Sequence, residues 1–194
     1  MTSGIAKTTF VLLAVCWYLI RLQFARRARH APIIHSARGL LERTLLTISL
    51  IGLGIIPLFY IASGQPRFAD YASHPLNALL GILLTIVALL MFYLTHRALG
   101  RNWSVSLDVR ENHKLITEGI YRFIRHPMYT AFWLWAGAQA LLLPNWVAGL
   151  SGLIGFGILF FGRVAREERM MMDNFGVQYR NYMSKTRRIV PGIY

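Results

Sequence analysis

Arg125-His126-Pro127-Met128-Tyr129 is followed further along the chain by Arg163-x-x-x-Glu167-Glu168 and then by Phe175-Gly176-x-x-Tyr179-x-x-Tyr182. Guanidinium, imidazole, carboxylate and phenol groups thus recur at the ends of long apolar runs. Crowding such groups at a membrane surface is costly unless they bind something. Each piece also has a plainer reading. Arg163 and Glu167 stand i and i+4, which alone is a surface ion pair worth roughly a few tenths of a kcal/mol in the less favourable order. Arg125-His126-Pro127 alone is a basic interfacial flank. Tyr179 alone reads as packing, and Met170 to Met172 as apolar contact surface. Their joint occurrence, in order and on one predicted side of a membrane, is what points to a site.

The elements that must position these groups are apolar. The chain has 194 residues, 55% of them hydrophobic, and a formal net charge of +13. Its mean hydropathy is +0.44, too apolar for an ordinary soluble domain. The basic residues lie between apolar runs, which points to membrane topology and anionic headgroups and argues against nucleic acid. A single cysteine, Cys16, excludes a disulfide within the chain, and no metal site is expected. The histidines His30, His35, His74 and His96 show no ligand spacing and read as interfacial.

Five runs are candidate spans: residues 5–20, 45–62, 76–94, 129–143 and 146–161. The last two are separated only by Pro144-Asn145, a helix breaker beside a turn former, which predicts a tight helical hairpin. Arginines cluster between the first and second runs, between the third and fourth, and after the fifth, whereas Arg67 alone is basic between the second and third and the Pro144-Asn145 turn carries no charge. This alternation predicts an N-terminus outside and a C-terminus in the cytoplasm. The first run lacks a cleavage-site pattern and reads as a retained span. Trp17, Trp103, Trp133 and Trp146 fall near predicted span ends, as interfacial anchors do.

The alternation Val105-Ser-Leu-Asp-Val109 predicts a short strand, and residues 120–124 one or two helical turns. Pro127 suits the first turn of a helix and biases His126 away from helical geometry. The helix of the fifth run is predicted to continue through Arg163 and Glu167 to Met172, to stop at Phe175-Gly176, and to be followed by a short helix over residues 177–184.

The order His113-Lys-Leu-Ile, Thr117-x-Gly119-x-Tyr121, Arg125-His126-Pro127-x-Tyr129, Glu167-Glu168, Phe175-Gly176-x-x-Tyr179-x-x-Tyr182 and Arg188-x-x-Pro191 resembles the isoprenylcysteine carboxyl methyltransferase and phospholipid methyltransferase superfamily. The resemblance covers about residues 102–191, nearly half the chain. It implies an integral membrane enzyme that uses S-adenosylmethionine without a Rossmann domain, with the cofactor facing the cytoplasm and a lipophilic acceptor entering from the bilayer. It places His113, Lys114, Leu115, Ile116, Tyr121, His126, Pro127, Met128, Tyr129 and Glu167 at the cofactor, and Arg163 at the acceptor. Arg125 joins the cofactor set because a carboxylate seeks charged donors. Glu168 is a candidate base should the acceptor be a protonated amine, whereas a carboxylate acceptor needs none. Two positions depart from the family pattern: Ala131 stands where many relatives have glycine, and Ser106 where the eukaryotic branch has a cofactor-contacting glutamine.

The expectation is therefore an all-α integral membrane protein of five transmembrane helices, the last two a hairpin, with a cytoplasmic C-terminal cofactor-binding region. Residues 1–95 shape the lipid-side cavity and residues 96–194 carry the chemistry of a single membrane domain. Membrane lipids and the lipophilic acceptor are the expected partners, with no nucleic acid and no obligate protein partner. Two other readings stay open: an NADPH-dependent reductase of the sterol reductase type, and a non-catalytic lipid-binding scaffold.

Overall fold

A computed structural model describes residues 2–28, 33–36, 39–100, 108–110 and 115–192. The architecture is helical. The first helix, α1 (Thr2–Ala28), turns Ala6, Phe10, Leu13 and Phe24 inward at spacings of three, four and eleven. Leu12, Val15 and Leu19 on its other side stay exposed. This division is that of a helix with one face on a bundle and the other on lipid.

The next helix bends by a mechanism that can be followed atom by atom. It runs α2 (Leu40–Leu50), a π-helical turn (Ile51–Ile55) and α3 (Ile56–Ser63). The Ile56 N–H bonds back to Ile51 O, and Pro57, next along, has no N–H. Gly52 O therefore loses its helical donor. Gln139 Nε2 at 3.0 Å and Ser151 Oγ at 2.8 Å replace it. Satisfying such a carbonyl internally is what permits a broken helix in an apolar setting. The same place is a close approach of backbones, since a Cβ on Gly52 would lie 2.3 Å from Ser151 O and 3.2 Å from Gly155 Cα.

Helix α4 (Pro75–Leu99) begins with Pro75 in its first turn and His74 Nδ1 accepting from the Leu76 N–H at 3.2 Å. Helix α5 (Pro127–Leu142) follows His126, whose φ of −124° and ψ of 59° lie outside the helical region, as the proline dictates. Leu143, Pro144 and Asn145 then turn the chain. Asn145 Oδ1 accepts from Val147 and Ala148 N–H at 3.1 and 2.8 Å and so caps α6 (Trp146–Phe175), which packs against α5. Helix α6 ends at Gly176, φ +51°, and α7 (Val177–Lys185) follows. The continuation of the fifth run, its stop and the short helix after it thus stand as expected.

Four helical segments among the described residues are long and apolar enough to cross a membrane: Gly4–Arg26, Leu40–Ser63, Pro75–Leu99 and Trp146–Phe175. Helix α5 has 16 residues, about 24 Å at 1.5 Å per residue against a hydrocarbon thickness of about 30 Å. The all-α expectation needs one amendment. A two-stranded antiparallel ribbon pairs β1 (Ile33–Ser36) with β2 (Asp108–Arg110), with Ile33 opposite Arg110 and Ser36 opposite Asp108. The alternation at 105–109 pointed to a strand here, and residues 105–107 lie outside the described residues.

Two tryptophans expected as interfacial anchors also pack against neighbouring helices. Trp17 meets Phe92, Phe132 and Trp135, and Trp133 meets Phe156 and Phe160, because aromatic neighbours on adjacent helices offer each ring a T-shaped or tilted partner. Trp103 lies outside the described residues, and Trp146 is exposed. His96, also read as interfacial, is fully buried, with Nδ1 2.9 Å from Phe92 O.

Candidate active site

The site begins at the joint between the α5 loop and the C-terminal tail. Arg125 N–H donates to Arg187 O at 2.7 Å, His126 N–H to Arg188 O at 2.9 Å, and Thr130 Oγ1 to Ile189 O at 2.8 Å. The tail thus lies along the loop as a strand-like strap. Helix α7 is held beneath it by Tyr182, whose hydroxyl donates to Tyr121 O at 2.6 Å. Burial pushes the Tyr182 hydroxyl above its ordinary range and keeps it a donor. Tyr179 is buried beside Tyr182, as a packing residue.

Glu168 ties this joint to α6. Its Oε1 accepts from Arg125 Nε and Nη2, both at 3.1 Å, and its Oε2 from Arg188 Nη2 at 2.7 Å. His126 Nε2 lies 3.3 Å from Oε1. The second Arg125 amino group reaches Met183 O at 3.3 Å and also Thr186 O. Arg125, expected to meet a ligand carboxylate, thus lines the cavity while its guanidinium also holds Glu168 and the tail. Glu168, expected as a base for amine acceptors, is enclosed by two guanidinium groups and an imidazole, which favour its ionised form and oppose proton uptake.

Its neighbour Glu167 faces the other way, into a cavity of about 500 Å³. Tyr129 donates its hydroxyl to Glu167 Oε2, His126 Nδ1 lies 3.6 Å from Oε1, and Arg163 Nε lies 3.7 Å from Oε2. About a quarter of the Glu167 side chain stays accessible, at 27%. His126 thus has a carboxylate at each ring nitrogen. Burial alone would lower its pKa, but Glu167 and Glu168 outweigh burial and hold it above the usual imidazole value.

The cavity is lined by the expected Leu115, Ile116, Tyr121, Arg125, His126, Met128, Tyr129, Arg163 and Glu167. Pro127 and Glu168 stand behind this lining, one starting α5 and the other clamping the tail. His113 and Lys114 lie outside the described residues, as does Ser106. Beyond the polar end the lining turns apolar and aromatic: Phe10 and Trp17 of α1, Phe92 of α4, Phe132 and Trp135 of α5, Phe156 of α6.

Several polar residues at the site escaped the sequence reading: Arg21, Ser49 and His96 line the cavity, and Glu42 stands behind Arg163. Glu42, in the first turn of α2, is 1% exposed and lies 3.3 Å from Arg163 Nη1 and 3.9 Å from Arg166 Nη2. A signal existed: Glu42 is the sole acidic residue before Asp70, placed at the head of an apolar run and surrounded in sequence by arginines.

Residues 79–173 match the model of the isoprenylcysteine carboxyl methyltransferase (ICMT) family. Over this segment the chain is similar to that family. Among curated relatives, protein-S-isoprenylcysteine O-methyltransferase B of Arabidopsis thaliana is 32% identical over 94 residues, 47% of this chain and 48% of the relative. The Schizosaccharomyces pombe enzyme of the same type is 35% identical over 94 residues, 47% of this chain and 40% of the relative. A protein of Oryza sativa subsp. indica named probable protein-S-isoprenylcysteine O-methyltransferase is 28% identical over 128 residues, 65% of this chain and 67% of the relative. The fold is similar to that of the solved eukaryotic intramembrane Ras methyltransferase ICMT, with a TM-score of 0.52 at 23% identity, covering 78% of this chain and 52% of that one. The chain spans about half the length of the first curated relatives it matches. Within the family match lie α5 and most of α6, with His126, Tyr129, Arg163, Glu167 and Glu168. These relatives are methyltransferases and lend no support to the reductase alternative.

Proposed function

We propose that this protein is an integral membrane methyltransferase that moves a methyl group from S-adenosylmethionine to a lipophilic carboxylate, such as an isoprenylcysteine-like acid entering from the bilayer. The observation that carries this reading is Glu167: a carboxylate facing a cavity that is polar at one end and aromatic at the other. A cavity of about 500 Å³ lies within the range of about 300–1,000 Å³ of small-molecule sites.

The residues present fit S-adenosylmethionine. Glu167 is the partner its ammonium requires, and Leu115, Ile116 and Tyr121 offer an apolar and aromatic wall suited to adenine. His126, whose protonated form is favoured by its two carboxylates, faces the carboxylate end. When bound, S-adenosylmethionine supplies an electrophilic methyl group on a sulfonium. The protein's own contribution is placement and dryness. Arg163 orients the acceptor's anion at the border between the polar and aromatic ends, Tyr129 and His126 fix the Glu167 carboxylate, and the strapped tail excludes water from the polar end.

The surroundings of Glu168 and His126 favour the carboxylate acceptor over an amine. Glu168 is paired with two arginines, which oppose proton uptake, and His126 lies between two carboxylates that raise its pKa and stabilise its protonated form. A carboxylate oxygen attacks without losing a proton. The names of the relatives, O-methyltransferases of isoprenylcysteine, favour the same choice.

In the membrane we place five crossings, with α5 and the start of α6 as the closing hairpin, the N-terminus outside, and the strapped tail in the cytoplasm. The arginine alternation supports this orientation. Helix α5 is short for a crossing but is flanked by α4, α6 and α1, which spare it full contact with lipid.

Ligand-induced stabilisation of the detergent-solubilised protein tests the proposal. S-adenosylhomocysteine at a hundredfold its Kd should stabilise the fold by about 2.7 kcal/mol, and NADPH should leave the Tm unchanged. Glu167→Gln should weaken S-adenosylhomocysteine binding by about tenfold or more, the scale of a charge-assisted pair. Stabilisation by NADPH alone, or parental affinity in Glu167→Gln, overturns the reading.

A further inference from the structure

Arg163 stands between two carboxylates that differ in kind. Glu167 is on the same helix, one turn along, and moves with Arg163 as α6 moves. Glu42 belongs to α2, across the helix interface, and lies 3.3 Å from Arg163 Nη1. Of the two, it alone ties the Arg163 guanidinium to the opposite wall of the cavity.

The Glu42 carboxylate is buried at 1% exposure, and its second oxygen lies 3.9 Å from Arg166 Nη2. Neither oxygen has a hydrogen-bond donor among the described residues, so charge attraction alone holds it. A buried ion pair with such loose geometry is a poor way to stabilise a helix interface, where apolar side chains of similar size often do as well or better. It is a good way to hold a charge in place for use. The electrostatics follow the same line. An ammonium arriving at Glu167 draws that carboxylate away from Arg163, and Glu42 is then the anion that keeps the guanidinium where it is.

We propose that Glu42 is a positioning residue that holds Arg163 at the border of the polar and aromatic ends of the cavity for the acceptor's anion. Glu42 lies outside the family match at residues 79–173. The inference rests on the methyltransferase reading for the identity of that anion.

The test uses the full chain in lipid nanodiscs, labelled S-adenosylmethionine, and N-acetyl-S-farnesylcysteine as the acceptor probe. Glu42→Gln should keep its Kd for S-adenosylhomocysteine within about threefold of the parent and lose about tenfold or more in kcat/KM for the probe. Glu42→Asp, which keeps the charge, should recover part of that loss, and Glu42→Gln combined with Arg163→Ala should be no worse than Arg163→Ala alone. A second readout needs no ligand. Modification by an arginine-specific dicarbonyl, mapped to Arg163 by peptide mass, should run several-fold faster in Glu42→Gln. Parental turnover in Glu42→Gln overturns the proposal. So does a parallel loss of cofactor binding, turnover and Tm, which is the mark of a purely structural pair, and so does an unchanged modification rate at Arg163. A parent that binds no S-adenosylhomocysteine refutes the methyltransferase reading instead, and the dicarbonyl rate still decides whether Glu42 places Arg163.

Discussion

At Glu168 two guanidinium groups and an imidazole close on one carboxylate, while the carboxylate next to it in sequence looks into an open cavity. Adjacent positions on a helix are about 100° apart, so one glutamate can serve the tail and the other a ligand. His126 couples them, with one ring nitrogen toward each. Its folded-state pKa is raised above the ordinary 6.5. The stability it contributes is therefore complete below about pH 6.5 and is lost as the pH rises through the folded value. Thermal unfolding between pH 6 and pH 9 should show the parent losing Tm as the pH rises, and His126→Gln should lack most of that decline. A decline of the same size in both assigns it to other groups. None of this pairing is readable from a motif, because the motif names the residues without saying which glutamate faces which neighbour.

Among elements, the break in the second apolar run decides how closely α2 approaches α6. Pro57 removes one donor, the π turn shifts another, and Gln139 and Ser151 from two other helices take up the freed Gly52 carbonyl. The approach leaves no room for a side chain at Gly52, where a Cβ would lie 2.3 Å from a backbone oxygen. Gly52→Ala should cost about 1–3 kcal/mol, as overpacking against backbone does. Gly137→Ala, whose nearest neighbour would be a leucine methyl at 3.5 Å, should be close to neutral. Chemical or thermal unfolding of the two variants checks the pair, and equal stability in both removes the close-approach argument. The interface bears on the site as well, since α2 carries Glu42 and α6 carries Arg163.

For the whole molecule, the open question is how the helices lie in a bilayer. A fifth crossing places the turn before Trp146 outside and the exposed Arg180 of α7 inside. In a Cys16→Ser background, Trp146→Cys should react with a membrane-impermeant maleimide in intact cells and Arg180→Cys only after lysis. Labelling of both from outside, or the reverse order, requires a different number of crossings. The count matters because it decides whether the polar end of the cavity meets the cytoplasm, where S-adenosylmethionine is available.

The apolar runs, the arginine alternation, the helix stop at Phe175-Gly176 and the family-like order of His126, Tyr129 and Glu167 follow from local chemistry. Length, hydropathy, proline and glycine act on the chain wherever it goes, so these features are legible without a fold. Contacts between distant segments are not. That Arg125 and Arg188 meet Glu168, that Glu42 meets Arg163, and that Trp17 and Trp133 pack inward depends on which helix faces are brought together, and burial there gives each charge and ring its value. The sequence by itself therefore determined the kind of site and the elements that carry it. The tertiary structure decided which of the candidate residues face the cavity and which hold its walls, because a charge acts on what lies within a few ångströms in space, whatever its distance along the chain.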